Sequence, residues 1–300
     1  MSTPPLVVIG PGAIGGLVAA LLERAGRPVT VVGRPGSLAQ VAAHGIAVES
    51  DRVGAWRARP AAAPDVPPGA RVIVAVKADG LAAVAAQVAA ARPTEVLSLL
   101  NGVEHLEALR AAAPGARVVA GSIAAEALRT STPGDGPVTI RHRGQILRVA
   151  VPAVAADLSL TRALRDTEAD VAVGGAQAEV LWLKLRFLAP LALLTSRAQA
   201  GIGPALERDR AASDALLAEV AAVATAEGVP TTGAELGGIL TGLPPAMRSS
   251  LQADVEAGRV GELNAIGGAV LRRGRLHGLA SPTLARTIDE IAAVAARRAG

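Results

Sequence analysis

The sequence predicts an α/β domain with a mostly parallel sheet, followed by an all-α domain. Three observations predict it. Short apolar runs alternate with helical stretches from the start to about residue 168. The first run, Leu6-Val7-Val8-Ile9, passes through a glycine turn into an alanine- and leucine-rich helix. After Gly174-Gly175 the pattern is helical to the end of the chain. The expected domains are therefore residues 1–168 and 169–300, with a short strand over Ala169–Val173 at the junction.

In order, Pro28–Gly33 reads as a second strand and Leu38–His44 as a helix. Ile46–Glu49 and Val53–Arg59 read as short strands or a hairpin, and Pro60–Gly69 as a proline-rich loop. Arg71–Val76 is a continuous apolar run that fits a strand buried on both faces. Leu81–Ala91 reads as a helix, Glu95–Leu100 as a strand, Val103–Ala113 as a helix and Arg117–Ala120 as a strand. Val138–Arg141 and Gln145–Val151 flank Arg143-Gly144 and read as a hairpin, followed by a helix over Ala153–Arg165. In the second domain Ala176–Gln199 is a long helix that Pro190 is expected to kink. Arg210–Glu227 ends at Gly228 with Pro230 following, a C-terminal signal. Thr232–Leu240, Gly261–Leu276 and Pro282–Arg298 complete the helices, the last with Ser281 as N-cap and Pro282 at the first helical position.

Composition narrows the function classes. The 300 residues are 51 % apolar but only 1 % aromatic, so the core is built from Ala, Val, Leu and Ile. Cysteine is absent, which excludes disulfides and thiolate chemistry. No stretch reaches the ~18 uninterrupted apolar residues of a membrane span. Met1–Pro5 carries no basic residue ahead of an apolar run, so no secretory signal is read there. The expectation is a soluble cytoplasmic protein. The net charge of +4 comes from scattered arginines with almost no aromatics to stack bases, which argues against nucleic-acid binding. His44, His105 and His142 are scattered without metal-ligand spacing, His277-Gly278 reads as a helix end, and no metal is expected.

The opening turn, Gly10-Pro11-Gly12-Ala13-Ile14-Gly15, has the spacing of a Rossmann dinucleotide-binding motif in its strand–turn–helix context. Gly10 permits the tight turn, Gly12 lets backbone approach a pyrophosphate, and Gly15 lets the helix sit close to the strand. The free amides at the helix start face an anion. An NAD site carries an acid at the end of the second strand. Here that position reads Val31-Val32-Gly33-Arg34-Pro35, and Arg34 suits a 2′-phosphate instead. A hydrogen bond to a charged group contributes about 1.5–3 kcal/mol, enough for a clear preference for NADPH.

Of the 30 basic residues only Lys77 and Lys184 are lysines, and Asn101 and Asn264 are the only asparagines. Lysine, unlike arginine, loses its proton readily when partly buried, so these positions stand out. Lys77 follows a buried strand at the carboxyl edge where open α/β sheets bind ligands, and Asn101 follows the next. Lys184 lies in Leu181-Trp182-Leu183-Lys184-Leu185, on the first helix of the second domain. Ser249-Ser250-Leu251-Gln252-Ala253-Asp254 and Gly258-Arg259-Val260-Gly261-Glu262-Leu263-Asn264 bring a serine and a carboxylate from later segments. The cleft between the domains is the expected place for a substrate.

Together these motifs, with LRRGRLHGLASP near the end, resemble the ketopantoate reductase (2-dehydropantoate 2-reductase) family over nearly the whole chain. The resemblance implies a Rossmann domain plus a helical domain and NADPH-dependent reduction of a 2-oxo acid or related ketone. It implies that Lys184 is the general acid and that Glu262 holds substrate and orients the lysine. Ser250 then binds the substrate carboxylate, while Lys77 and Asn101 line the nicotinamide and substrate end. The chemistry is coherent, because hydride transfer creates negative charge on oxygen and a positioned cation can neutralise it and give a proton. Desolvation would lower the lysine pKa and a nearby Glu262 would raise it. Simpler readings stand beside these roles: Lys184 snorkelling from an apolar helix, Glu262 answering the helix macrodipole, Ser250 as a helix cap. Asn264 lies on a different helix face from Glu262.

The family presents two asparagines four and eight residues after the lysine. Here those positions are Leu188 and Ala192. Apolar surface replaces two amide contacts, so a less polar ketone, another 2-oxo acid or an imine stands as the alternative to ketopantoate itself. A non-catalytic NADP-binding regulator is the rival from another class. The expected partner is a small-molecule carbonyl substrate, with a homodimer through the helical domain.

Overall fold

A computed structural model describes residues 4–131 and 136–299, so of the segment read for a secretory signal only Pro4 and Pro5 are described. The chain divides into two compact units. One takes residues up to Leu100 together with His105–Val180; the other takes Asn101–Glu104 and Leu181 onward. The boundary expected after residue 168 falls after Val180, because the strand over Asp170–Val173 pairs within the first unit.

The first unit holds one fully parallel sheet. Its strands are β1 (Leu6–Ile9), β2 (Val29–Val32), β5 (Ala61–Ala63), β6 (Arg71–Val74), β7 (Glu95–Ser98) and β8 (Arg117–Ala120), in the order β5-β2-β1-β6-β7-β8. The chain starts in the middle, builds outward through β2, then crosses back to β6. The carboxyl ends of β1 and β6 therefore flank the switch point where such sheets bind ligands. Val7, Val8, Val72, Ile73 and Val74 are completely buried, as strands covered on both faces require. α2 (Pro35–His44), α3 (Leu81–Ala91) and α4 (His105–Ala112) are the connecting helices.

A second, mixed sheet packs in the same unit. It contains β3 (Ile46–Ser50), β4 (Gly54–Ala58), β9 (Ser122–Arg129), β10 (Val138–Val151) and β11 (Asp170–Val173). α1 (Ala13–Arg24) packs against strands of both sheets, so Gly15 to Leu22 are buried without interruption. The Arg24 guanidinium stacks over Trp56 of β4, 4.7 Å from the ring centroid.

The hairpin expected at Arg143-Gly144 is one 14-residue strand, β10, bent at a register shift between Arg143 and Leu147. Its antiparallel partner is β9, whose sequence SIAAEALR is made largely of helix formers and gives no strand signal. The proline-rich loop contains β5, an edge strand paired only with β2, where flanking prolines are tolerated. The helix expected over Ala153–Arg165 is a 3₁₀ turn (Ala153–Ala155) and then α5 (Ser159–Arg165). Glu95 of β7 starts α5 by accepting from the amides of Ser159 and Leu160, each at 3.0 Å.

The second unit is helical: α6 (Gln177–Ala198, of which it holds Leu181 onward), α7 (Ile202–Glu207), α8 (Arg210–Ala226), α9 (Gly233–Thr241), α10 (Ser250–Glu256), α11 (Ala269–Leu276) and α12 (Pro282–Ala299). Pro190 lies inside α6 without ending it. Trp182, 1 % exposed, anchors the core and donates to Glu227 at 3.0 Å. Arg273 and His277 bond the same carboxylate, which ties the ends of α8 and α11 to α6 and accounts for His277 as a helix end. α7 escapes sequence reading because Gly203 and Pro204 break its pattern. Ser281 does not cap α12 with its side chain: its Oγ is buried without a partner, and Glu219 of α8 accepts from Thr283 and Leu284 instead. Among the described residues no helix is long and apolar enough to cross a membrane.

Candidate active site

The glycine turn after β1 has the geometry its spacing predicts. Gly10 adopts φ +93°, and its amide bonds Val32 O at 2.8 Å. A Cβ on Gly10 would lie 2.6 Å from Val76 Cγ1, and one on Gly15 would lie 2.0 Å from Gly10 O. A Cβ on Gly12 would meet nothing within 4 Å. Two of the glycines are thus demanded by the fold, and Gly12 borders open space. α1 begins at the Gly12 N-cap with no acid in its first turn, so the amides of Ala13, Ile14 and Gly15 open an anion-binding end. These features fit a bound dinucleotide pyrophosphate.

Arg34 is exposed and forms the N-cap of α2, with Pro35 next. Two contacts near it were not foreseen. Gly33 receives the Pro11 ring, since a Cβ there would lie 2.6 Å from Pro11 Cδ. Arg129, at the end of β9, donates to Ser37 Oγ at 2.9 Å, Gln40 Oε1 at 2.7 Å and Pro11 O at 3.3 Å. One guanidinium therefore joins the glycine turn to the first turn of α2. Nothing marked Arg129 in the sequence, because the strand that carries it was itself hidden. Lys77 is exposed at the carboxyl edge of the sheet, three residues beyond β6, as its placement predicts.

In the helical unit, three residues distant in sequence meet. Lys184 Nζ donates to Asn101 Oδ1 at 2.8 Å, and Asn101 Nδ2 donates to Glu262 Oε2 at 2.8 Å. Burial pushes the Lys184 amine down to about 8, against the Glu262 carboxylate, which holds it up. A lysine snorkelling into water would show neither the bond nor the desolvation. The turn that delivers Glu262 is set by Asp254, 5 % exposed. Its side chain accepts from Arg259 at 2.7 Å, and Gly261 (φ +49°) sits so close that a Cβ would lie 2.6 Å from Asp254 Oδ2.

Ser249, not Ser250, caps α10: its Oγ accepts from the Gln252 amide at 3.1 Å and pairs with Thr195 Oγ1 at 2.8 Å. Ser250 is the first helical residue and is exposed, so its hydroxyl is not used as the cap. Leu188 is half-buried at the margin of the helical core, whereas Ala192 is 1 % exposed inside it. The asparagine Asn264 opens a π-helical turn (Asn264–Gly268) and accepts from Arg272 at 2.7 Å. Of the histidines, His142 is completely buried between Ser50 Oγ and Ile146 O, a core residue.

A glycine turn opening a helix on a parallel sheet, and a desolvated amine in the helical unit with its pKa lowered to about 8, fit an oxidoreductase that acts on a carbonyl or CH–OH group. Residues 6–155 match the family model described as Ketopantoate reductase PanE/ApbA, and residues 177–295 match its C-terminal counterpart. The chain belongs to the ketopantoate reductase family. It is 31 % identical over 299 residues to a 2-dehydropantoate 2-reductase of Mycobacterium tuberculosis, covering 92 % of this chain and 93 % of that one. A PanE/ApbA family ketopantoate reductase from Ralstonia eutropha JMP134 superposes with a TM-score of 0.85 at 25 % identity, over 98 % and 99 % of the two chains. A D-mandelate dehydrogenase solved with NADH and anilino(oxo)acetate shares the fold, at 19 % identity and a TM-score of 0.83 over 98 % and 99 %.

Proposed function

We propose that this protein reduces a 2-oxo acid or related ketone with NADPH, and that Lys184 is the general acid. The Lys184–Asn101–Glu262 line carries this reading, because it presents an amine with a pKa of about 8, able to give a proton near neutral pH. Gly10–Gly15 hold the pyrophosphate on the amides of α1, and Arg34 takes the 2′-phosphate. When bound, NADPH supplies the hydride that reaches the carbonyl carbon. As the C=O double bond becomes a single bond, the oxygen takes the proton from Lys184 Nζ, and the amine is left neutral. Asn101 holds that amine by its oxygen, and Glu262 orients the amide and keeps a negative charge near the lysine. Lys77 lines the nicotinamide end, and Ser250 offers its hydroxyl to the substrate carboxylate.

A second reading concerns the substrate rather than the reaction. Leu188 supports a 2-oxo acid with an apolar side chain, or an imine, in place of ketopantoate. The test is NADPH oxidation with a panel of polar and apolar 2-oxo acids, ketones and imines, in the wild type and in Lys184→Ala. A turnover in Lys184→Ala that equals the wild-type rate removes the lysine from the mechanism. Tight NADPH binding without turnover of any of them favours a non-catalytic regulator.

A further inference from the structure

Arg272 of α11 makes four hydrogen bonds in the helical unit. Two run to the carboxylate of Glu104, at 2.8 and 2.7 Å; the others run to Asn264 Oδ1 at 2.7 Å and Asn264 O at 3.0 Å. Glu104 lies three residues after Asn101, on the segment Asn101–Glu104. Asn264 lies two residues after Glu262 and opens the π-helical turn. The two segments also touch through backbone. Gly102 has φ +90°, and a Cβ there would lie 2.4 Å from Ala265 O. One guanidinium therefore grips both segments that present partners toward Lys184.

We infer that Arg272 is a positioning residue, which sets Asn101 through Glu104 and Glu262 through Asn264 so that both line up on the Lys184 amine. The inference rests on the reading of Lys184 as the acid. It requires the planar fork of arginine, since these four bonds exceed the three N–H donors of a lysine ammonium and run in directions only the guanidinium fixes. Burial separates this role from simple stabilisation. The side chains of Arg272 and Glu104 are 40 % and 42 % exposed, and an ion pair that open contributes little to folding. Loss of Arg272 should therefore cost alignment rather than the fold.

The experiment uses the full chain as wild type, Arg272→Met, Arg272→Lys and Glu104→Gln, with three readouts: kcat, NADPH affinity, and titration of the lysine amines. Because the chain has only two lysines, ¹³C-lysine labelling gives two signals, and Lys77→Arg assigns them. Arg272→Met is expected to lower kcat about ten- to a hundred-fold, the scale of a small misplacement of reacting groups. NADPH affinity and thermal midpoint should stay at the wild-type values, while the Lys184 titration midpoint moves by about half a unit or more as its partners shift. Arg272→Lys should recover only part of kcat, and Glu104→Gln should reproduce a weaker form of the loss. An unchanged kcat with an unchanged Lys184 titration overturns the inference, as does a loss that follows a fallen thermal midpoint. Failure of the parent reading looks different: Lys184→Ala then keeps its turnover, whatever Arg272 does to the amine signal.

Discussion

The glycine turn of the first unit and the lysine line of the second are built in opposite ways. The turn is made of backbone: Gly10, Gly12 and Gly15 act by what they lack, within six consecutive residues. The lysine line is made of side chains drawn from Asn101, Lys184 and Glu262, which meet only after the fold is complete. A backbone site tolerates almost no added atoms but is fixed by local geometry. A side-chain site can be tuned, because its charge depends on burial and on one neighbouring carboxylate.

Substitutions can break this contrast in order of size. Lys184→Ala should lower turnover by about 10²–10⁴-fold, the usual contribution of general acid catalysis, with cofactor affinity unchanged in a fluorescence titration. Arg34→Asp should weaken NADPH about ten- to a hundred-fold more than NADH, measured by calorimetry; equal losses would remove the phosphate role. Gly15→Ala, whose Cβ meets Gly10 O at 2.0 Å, should destabilise the first unit by about 1–3 kcal/mol in urea unfolding. Gly12→Ala meets no atom within 4 Å, so it should unfold like the wild type yet bind NADPH less well.

Dependence on pH sharpens the second half of the comparison. Lys184 must be charged to give a proton, so ketone reduction should fall as pH rises through about 8. The reverse oxidation needs the neutral amine and should rise over the same range. Glu262 holds the amine up, so Glu262→Gln should move both limbs to lower pH in a kcat profile.

The same contrast explains what could be read in advance. The strands of the parallel sheet announce themselves as apolar runs, and the glycine turn announces itself by spacing. β9 does not, since Ala, Glu, Leu and Arg favour helix and only its pairing with β10 makes it a strand. Arg129, carried by β9, was hidden with it. Lys184, Asn101 and Glu262 were legible as separate residues, through the rarity of the first two and their motifs, but the order of contact was not. Nothing local says that Asn101 stands between the lysine and the carboxylate. The Ser281 cap was misread because a long-range side chain does the work: Glu219 starts α12, and in the same way Glu95 of β7 starts α5, six residues after the start its sequence suggests.

The two tryptophans of the chain fall one to each unit, Trp56 beneath Arg24 and Trp182 sealed against Glu227. Their emission therefore separates the halves optically. A Trp56→Phe protein reports only on the helical half, and Trp182→Phe only on the nucleotide-fold half. Denaturation followed in each reveals whether the halves melt together or in succession, with no external dye.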